Sequence, residues 1–139
     1  MIVLHAALVM RRLDAEAGPA RRLGQAVFDR FCSDMDGNLR EMGVGDLAVP
    51  RQMRSIGEAF YGRKRAYEAA LAELAAAPLA AALARNVYAD DGAAAPGAAR
   101  LATYVRAAAQ RLGVADAEAL QQGKVGFPDP LEFADPGAA

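Results

Sequence analysis

The 139-residue chain has one cysteine, one histidine and no tryptophan, and aromatic residues make up only 6% of it. A lone Cys32 excludes an intrachain disulfide framework and a cysteine-based zinc site, and it suits a reducing compartment. Beside Phe28 and Phe31 on a helical stretch, it reads as a small packed apolar residue. With His5 as the only histidine, a metal site or catalytic dyad would have to recruit distant carboxylates; on an apolar helix face His5 reads as a hydrogen-bonded core residue. No HExxH, CxxC or GxSxG pattern occurs, and there is no Cys-x-x-Cys-His for haem attachment. Asp34 and Asp36 stand two apart on a helix and so do not face each other as an acid/base pair. These shortages point to a protein that is not an enzyme, with no metal and no cofactor.

Long apolar runs are missing too. Met1 to Met10 is apolar apart from His5, but about ten residues fall well short of the ~20 a bilayer span requires. Arg11 and Arg12 follow this run instead of preceding it, so it does not read as an export signal. The acidic Asp14 and Glu16 fit a mitochondrial transit peptide poorly. A bacterial cytoplasmic protein is the simplest reading. Neither sign of charge dominates: the net charge is −1 and the pI near 5.8. There is accordingly no global electrostatic reason to bind DNA or RNA, and any basic patch must be local.

What is abundant is alanine, which supplies much of a hydrophobic fraction of 54%. Alanine is the best helix former and few stretches are rich in β-branched residues, so the composition predicts an all-α fold. The size suits a single-domain helical bundle of about five to six helices around a long central antiparallel helix pair. The domain is expected over residues 1–128, with a flexible tail at 129–139.

In order, a first helix is predicted from about Ile2 to Ala17, with Leu4, His5, Leu8, Val9 and Leu13 on one face, ended by Gly18-Pro19. A second follows with Leu23, Val27, Phe31, Met35, Leu39 and Met42 at helical period. Arg30 with Asp34, and Asp36 with Arg40, are spaced to pair on its outside. Gly37 is its weak point, and Gly43 is the expected left-handed residue after its end. In the turn Gly43-Val44-Gly45-Asp46-Leu47, Asp46 is expected to accept backbone N–H bonds while Val44 and Leu47 pin the turn to the core. Two glycines with no Lys-Ser/Thr after them do not make a phosphate loop.

A third helix, about Pro50 to Ala76, puts Met53, Ile56, Phe60, Tyr67, Leu71 and Leu74 on one stripe. Arg51, Arg54, Glu58, Tyr61, Arg65 and Glu68 fall on the other side, with Gly62 among them. Arg63 and Lys64 flank the stripe, where their stems can cover it while the charges reach water. Tyr61 among arginines, next to a glycine no core packing demands, is the candidate partner-binding surface: Arg51, Arg54, Tyr61, Gly62, Arg63, Lys64 and Arg65, with Asp46 in the turn before. A fourth helix starts at Pro78 with Leu79, Leu83 and Val87. A low-complexity loop runs from Asp90 to Gly97. A fifth helix, about Ala98 to Leu112, uses Leu101, Tyr104, Val105, Ala108 and Leu112. Asp116 is the expected N-cap of a last helix to Gln122. Beyond Gly123 an extended segment is expected in which Phe127 docks on the bundle, and disorder from Asp129.

The ordered set Leu39-Arg40-Glu41, Gly43-Val44-Gly45-Asp46-Leu47, Phe60-Tyr61-Gly62-Arg63 and Tyr67 resembles the ubiquinol-cytochrome c chaperone family, assembly factors of the cytochrome bc1 complex. Asn86-Val87-Tyr88 and Phe127-Pro128-Asp129 are weaker echoes, and the resemblance extends over roughly Leu4 to Pro130. It implies an all-helical, non-enzymatic protein. It also implies that the chain binds newly made cytochrome b near the ribosome's exit tunnel, supports its maturation, and associates peripherally with the cytoplasmic face of the inner membrane. Members usually carry residues ahead of Ile2-Val3-Leu4-His5, which implies that part of the domain's N-terminus is missing. Two other readings of the same residues stand beside it: a ribosome- or RNA-binding helical module using the arginines, and a plain oligomer-forming bundle.

Overall fold

The computed structural model describes residues 1–89 and 96–134. Among the described residues there are six α-helices, one 3₁₀ turn and no strand, as the alanine-rich composition predicts. The helices are α1 (Ile2–Asp14), α2 (Gly18–Glu41), α3 (Val49–Ala72), α4 (Ala77–Val87), α5 (Pro96–Gly113) and α6 (Ala117–Gln121), with the 3₁₀ turn at Pro130–Phe133. Two compact units divide the chain, one of Ile2–Lys64 and one of Arg65 onward with Met1. Helix α3 is continuous through the boundary. The loop expected between Asp90 and the start of α5, and the tail from residue 135, lie outside the described residues.

In the first unit, α1 buries Leu4, Ala7, Leu8, Met10 and Leu13. It stops at Asp14, three residues earlier than its periodicity suggests, because Gly18 takes a positive φ of 61° and Pro19 sits in the first turn of α2. Helix α2 lies against α1 through small residues. Ala20 and Gly24 are buried, and a Cβ on Gly24 would stand 3.3 Å from the Asp14 carboxylate and 3.4 Å from Leu13 Cβ. The helix runs unbroken through Gly37 and ends as expected. Gly43, at φ 82°, donates to the Arg40 carbonyl and Val44 to that of Leu39, which satisfies two orphan carbonyls of the last turn.

The turn into α3 is held differently from the expectation. The Gly45 carbonyl accepts from Ala48 and Val49, while Asp46 accepts from the Arg40 guanidinium at 2.6 Å and from no backbone N–H. Leu47, expected to pin the turn, is 99% exposed, and the buried residue is Val49. Met42, expected on the apolar face of α2, is exposed because it is already the C-cap. Phe31 and Phe60 stand at similar distances before and after this turn with ring centroids 5.1 Å apart, which is the antiparallel α2–α3 pairing the stripes predict.

In the second unit, α4 buries Leu79, Ala82, Leu83 and Ala84. Helix α5 buries Ala98, Ala102, Tyr104, Val105, Ala108 and Leu112, so short side chains let α4 and α5 approach closely. Helix α3 ends at Ala72, four residues before the expected Ala76, and Leu74 is fully exposed beyond it instead of continuing the stripe. The Arg106 guanidinium, reaching over from α5, donates to the carbonyls of Glu73 and Ala75 in this connection. Asp116 caps α6, accepting from the Ala119 N–H at 2.9 Å. The chain expected to lose structure from Asp129 instead forms the 3₁₀ turn. Asp129 caps it, accepting from the Leu131 N–H at 2.9 Å, and Phe133 packs edge-on against Tyr104 at 5.6 Å.

Candidate functional site

Helix α3 presents a buried side and a charged side because its sequence alternates them at helical period. Phe60 is 1% exposed, while Arg51, Arg54 and Arg65 are exposed. Among the described residues these three arginines and Arg63 take part in no ion pair, although Glu58 stands four residues after Arg54. Unpaired guanidiniums keep all five donors for an incoming acceptor. Gly62 adds a gap to this surface. A Cβ there would meet nothing within 4 Å, so internal packing does not require glycine at that position.

Three of the sequence-derived candidates stand elsewhere than expected. Lys64 does not hold its charge out to water: its side chain is only 11% exposed and its Nζ lies 2.9 Å from the Asp14 carboxylate, tying α3 to α1. Asp46 is not a free carboxylate of the turn, since Arg40 holds it together with Asp36. The hydrogen bond and charge of Asp36, and then the charge of Asp46, push the Arg40 pKa up. Tyr61 is no isolated aromatic among arginines. At 37% exposure its ring lies 4.7 Å from Phe28 and 5.7 Å from Phe60, and belongs to an aromatic cluster with Phe31. Of the remaining candidates, Arg51, Arg54 and Arg65 are exposed, whereas Gly62 and Arg63 are half-buried and Arg63 lies on the opposite side of the helix from Arg54.

The free edge of Tyr61 lines an open cleft of about 710 Å³ in the first unit, together with Met10, Asp14, Arg21, Arg22 and Gln25. Sequence reasoning missed Arg21 and Arg22. A signal was present: neither has an acidic residue three or four positions away on α2, so neither can pair along its own helix. Gln25 donates to Asp29 at 2.8 Å. Cys32 is half-buried on α2; burial, and then the charge of Asp29, push its thiol pKa up. No cluster of three metal-ligating side chains occurs among the described residues.

Fold and surface together define an all-helical protein whose candidate site is a basic helix face. The chain belongs to the ubiquinol-cytochrome c chaperone family: the family model described as Ubiquinol-cytochrome C chaperone matches residues 1–127. It is similar to a solved structure, that of the Cbp3 homolog from Brucella abortus, at 37% identity and a TM-score of 0.84, over 94% of this chain and 72% of that one. No protein of curated function matches it.

Proposed function

We propose that this chain is a non-enzymatic assembly factor that binds newly made cytochrome b and supports its maturation into the cytochrome bc1 complex. The observation that carries this reading is membership of the ubiquinol-cytochrome c chaperone family over residues 1–127. The outer face of α3 supports it from the physical side. Arg51, Arg54 and Arg65 are exposed and unpaired among the described residues, and Gly62 leaves room for a partner's backbone. Arginines of this kind anchor binding patches because their forks satisfy carbonyl and carboxylate acceptors two at a time. No helix among the described residues is long and apolar enough to cross a membrane, and peripheral contact with the inner membrane is part of this proposal. Binding to the client while it emerges near the ribosome's exit tunnel fits the same exposed charges.

The test is a pull-down of the tagged chain from a membrane-containing bacterial lysate. Recovery of cytochrome b ahead of the other bc1 subunits is the expected result, and its absence from the eluate at any salt overturns the reading. The unpaired arginines also suit a ribosome- or RNA-binding module. That alternative predicts binding to bare RNA that falls steeply between low and moderate salt.

A further inference from the structure

We infer that the cleft between α1, the start of α2 and Tyr61 is a binding site for a phosphate-bearing ligand, held by Arg21 and Arg22. Tyr61 shares a side of α3 with Arg51, Arg54 and Arg65 of the proposed client contact, but none of these arginines lines the cleft; the inference rests on Arg21 and Arg22 of α2 and stands without that contact.

Four observations lead to it. The cleft is open to solvent and, at about 710 Å³, within the size range of ligand sites. Its cations are available: Arg12, Arg30 and Arg40 each have a carboxylate partner, whereas Arg21 and Arg22 are exposed and have none among the described residues. The carboxylate in the cleft is neutralised, because Asp14 is bound by Lys64 at 2.9 Å and so does not quench the two guanidiniums. Finally, Tyr61 is held in place by Phe28, its ring 4.7 Å away, so the side chain lining the cleft is fixed by packing.

The donor set selects the ligand chemistry. Two guanidinium forks and a phenol hydroxyl offer more N–H and O–H groups than the two oxygens of one carboxylate can accept, while the three terminal oxygens of a phosphate monoester can take them together. The cleft is also far larger than an inorganic anion, and its lining includes the apolar Met10 and the ring of Tyr61. A phosphate with a small organic portion therefore fits better than phosphate alone. Such a group can come from a soluble phosphorylated metabolite or from a lipid headgroup.

The experiment uses the purified full chain. Binding is measured by calorimetric titration with glycerol 3-phosphate and with inorganic phosphate at constant ionic strength. Flotation is measured with vesicles of phosphatidylcholine alone and with vesicles containing phosphatidic acid. The variants are R21Q/R22Q, Y61F, and R51Q/R54Q as a control for charge away from the cleft. The expected result is saturable binding of glycerol 3-phosphate or of phosphatidic acid vesicles, weakened at least tenfold in R21Q/R22Q, several-fold in Y61F and little in R51Q/R54Q. Binding of the soluble ester assigns a metabolite, and binding of the vesicles alone assigns a headgroup. The inference is overturned if neither probe binds, if R21Q/R22Q binds as the parent does, or if R51Q/R54Q loses as much. It is also overturned if a glutamate-rich peptide binds in an Arg21- and Arg22-dependent way while the phosphate probes do not.

Discussion

In Ile2–Lys64 helices α2 and α3 meet through rings, with Phe28 and Phe31 each 5.1 Å from Phe60, and some of the charged residues are paired, as in Arg12–Glu16, Arg40–Asp46 and Lys64–Asp14. From Arg65 onward the buried residues are mostly small or aliphatic, Ala82, Ala84, Ala98, Ala102 and Ala108 beside Leu79, Leu83 and Val105. The two units thus fill their interiors by different means. Large rings fix neighbouring side chains, including Tyr61, in defined places, whereas alanine packing brings backbones close and leaves little to orient a surface group. The residues with candidate chemistry accordingly gather in and around the ring-packed unit.

This contrast can be broken most forcefully at Phe60. Phe60→Ala removes the ring that touches Phe28, Phe31 and Tyr61, and should cost about 3–5 kcal/mol in a denaturant melt. A loss below about 1 kcal/mol would mean that the cluster does not hold the unit. The opposite defect applies to the alanine-packed unit. Ala108→Leu adds volume where the residue is fully buried, and should destabilise by about 1–3 kcal/mol through overpacking. Were it neutral, α5 would not be as closely packed as its alanines imply.

Smaller effects sharpen the comparison. Gly62→Ala puts a methyl group into open space on a helix, so stability should rise by up to about 1 kcal/mol in the same melt, while cytochrome b recovery falls if a partner approaches there. At the low end, Cys32 should react with iodoacetamide more slowly than a free thiol near pH 8. Its raised pKa leaves less thiolate at that pH, and the rate should climb only as the pH rises further. Reaction at the free-thiol rate would show that burial on α2 does not protect it.

Features written along a single helix were legible in the sequence. The Gly43 terminus, the Asp116 cap and the pairs Arg30–Asp34 and Asp36–Arg40 each depend on neighbours three or four residues away, and all are present. What could not be read was what one helix offers another. A helical wheel puts Tyr61 at the edge of the arginines but does not reveal that Phe28 of α2 lies under its ring. It puts Lys64 beside the apolar stripe without disclosing the Asp14 carboxylate of α1. Leu74 continued the period of α3, yet the helix stops at Ala72 and Arg106 of α5 takes the carbonyls beyond it. The 3₁₀ turn at Pro130–Phe133 went unread for the same reason, because Phe133 is held by Tyr104 of α5.

The central claim, that the outer face of α3 is where the client is held, is tested most directly by Arg51→Glu, Arg54→Glu and Arg65→Glu together. Each arginine is exposed and makes no ion pair among the described residues, so the triple variant should keep its fold, with a stability change of at most about 1 kcal/mol per site. Reversed charge at an interface costs several kcal/mol, so cytochrome b should disappear from its pull-down while the melt stays close to that of the parent. A folded triple variant that recovers cytochrome b in parental amounts would contradict the claim.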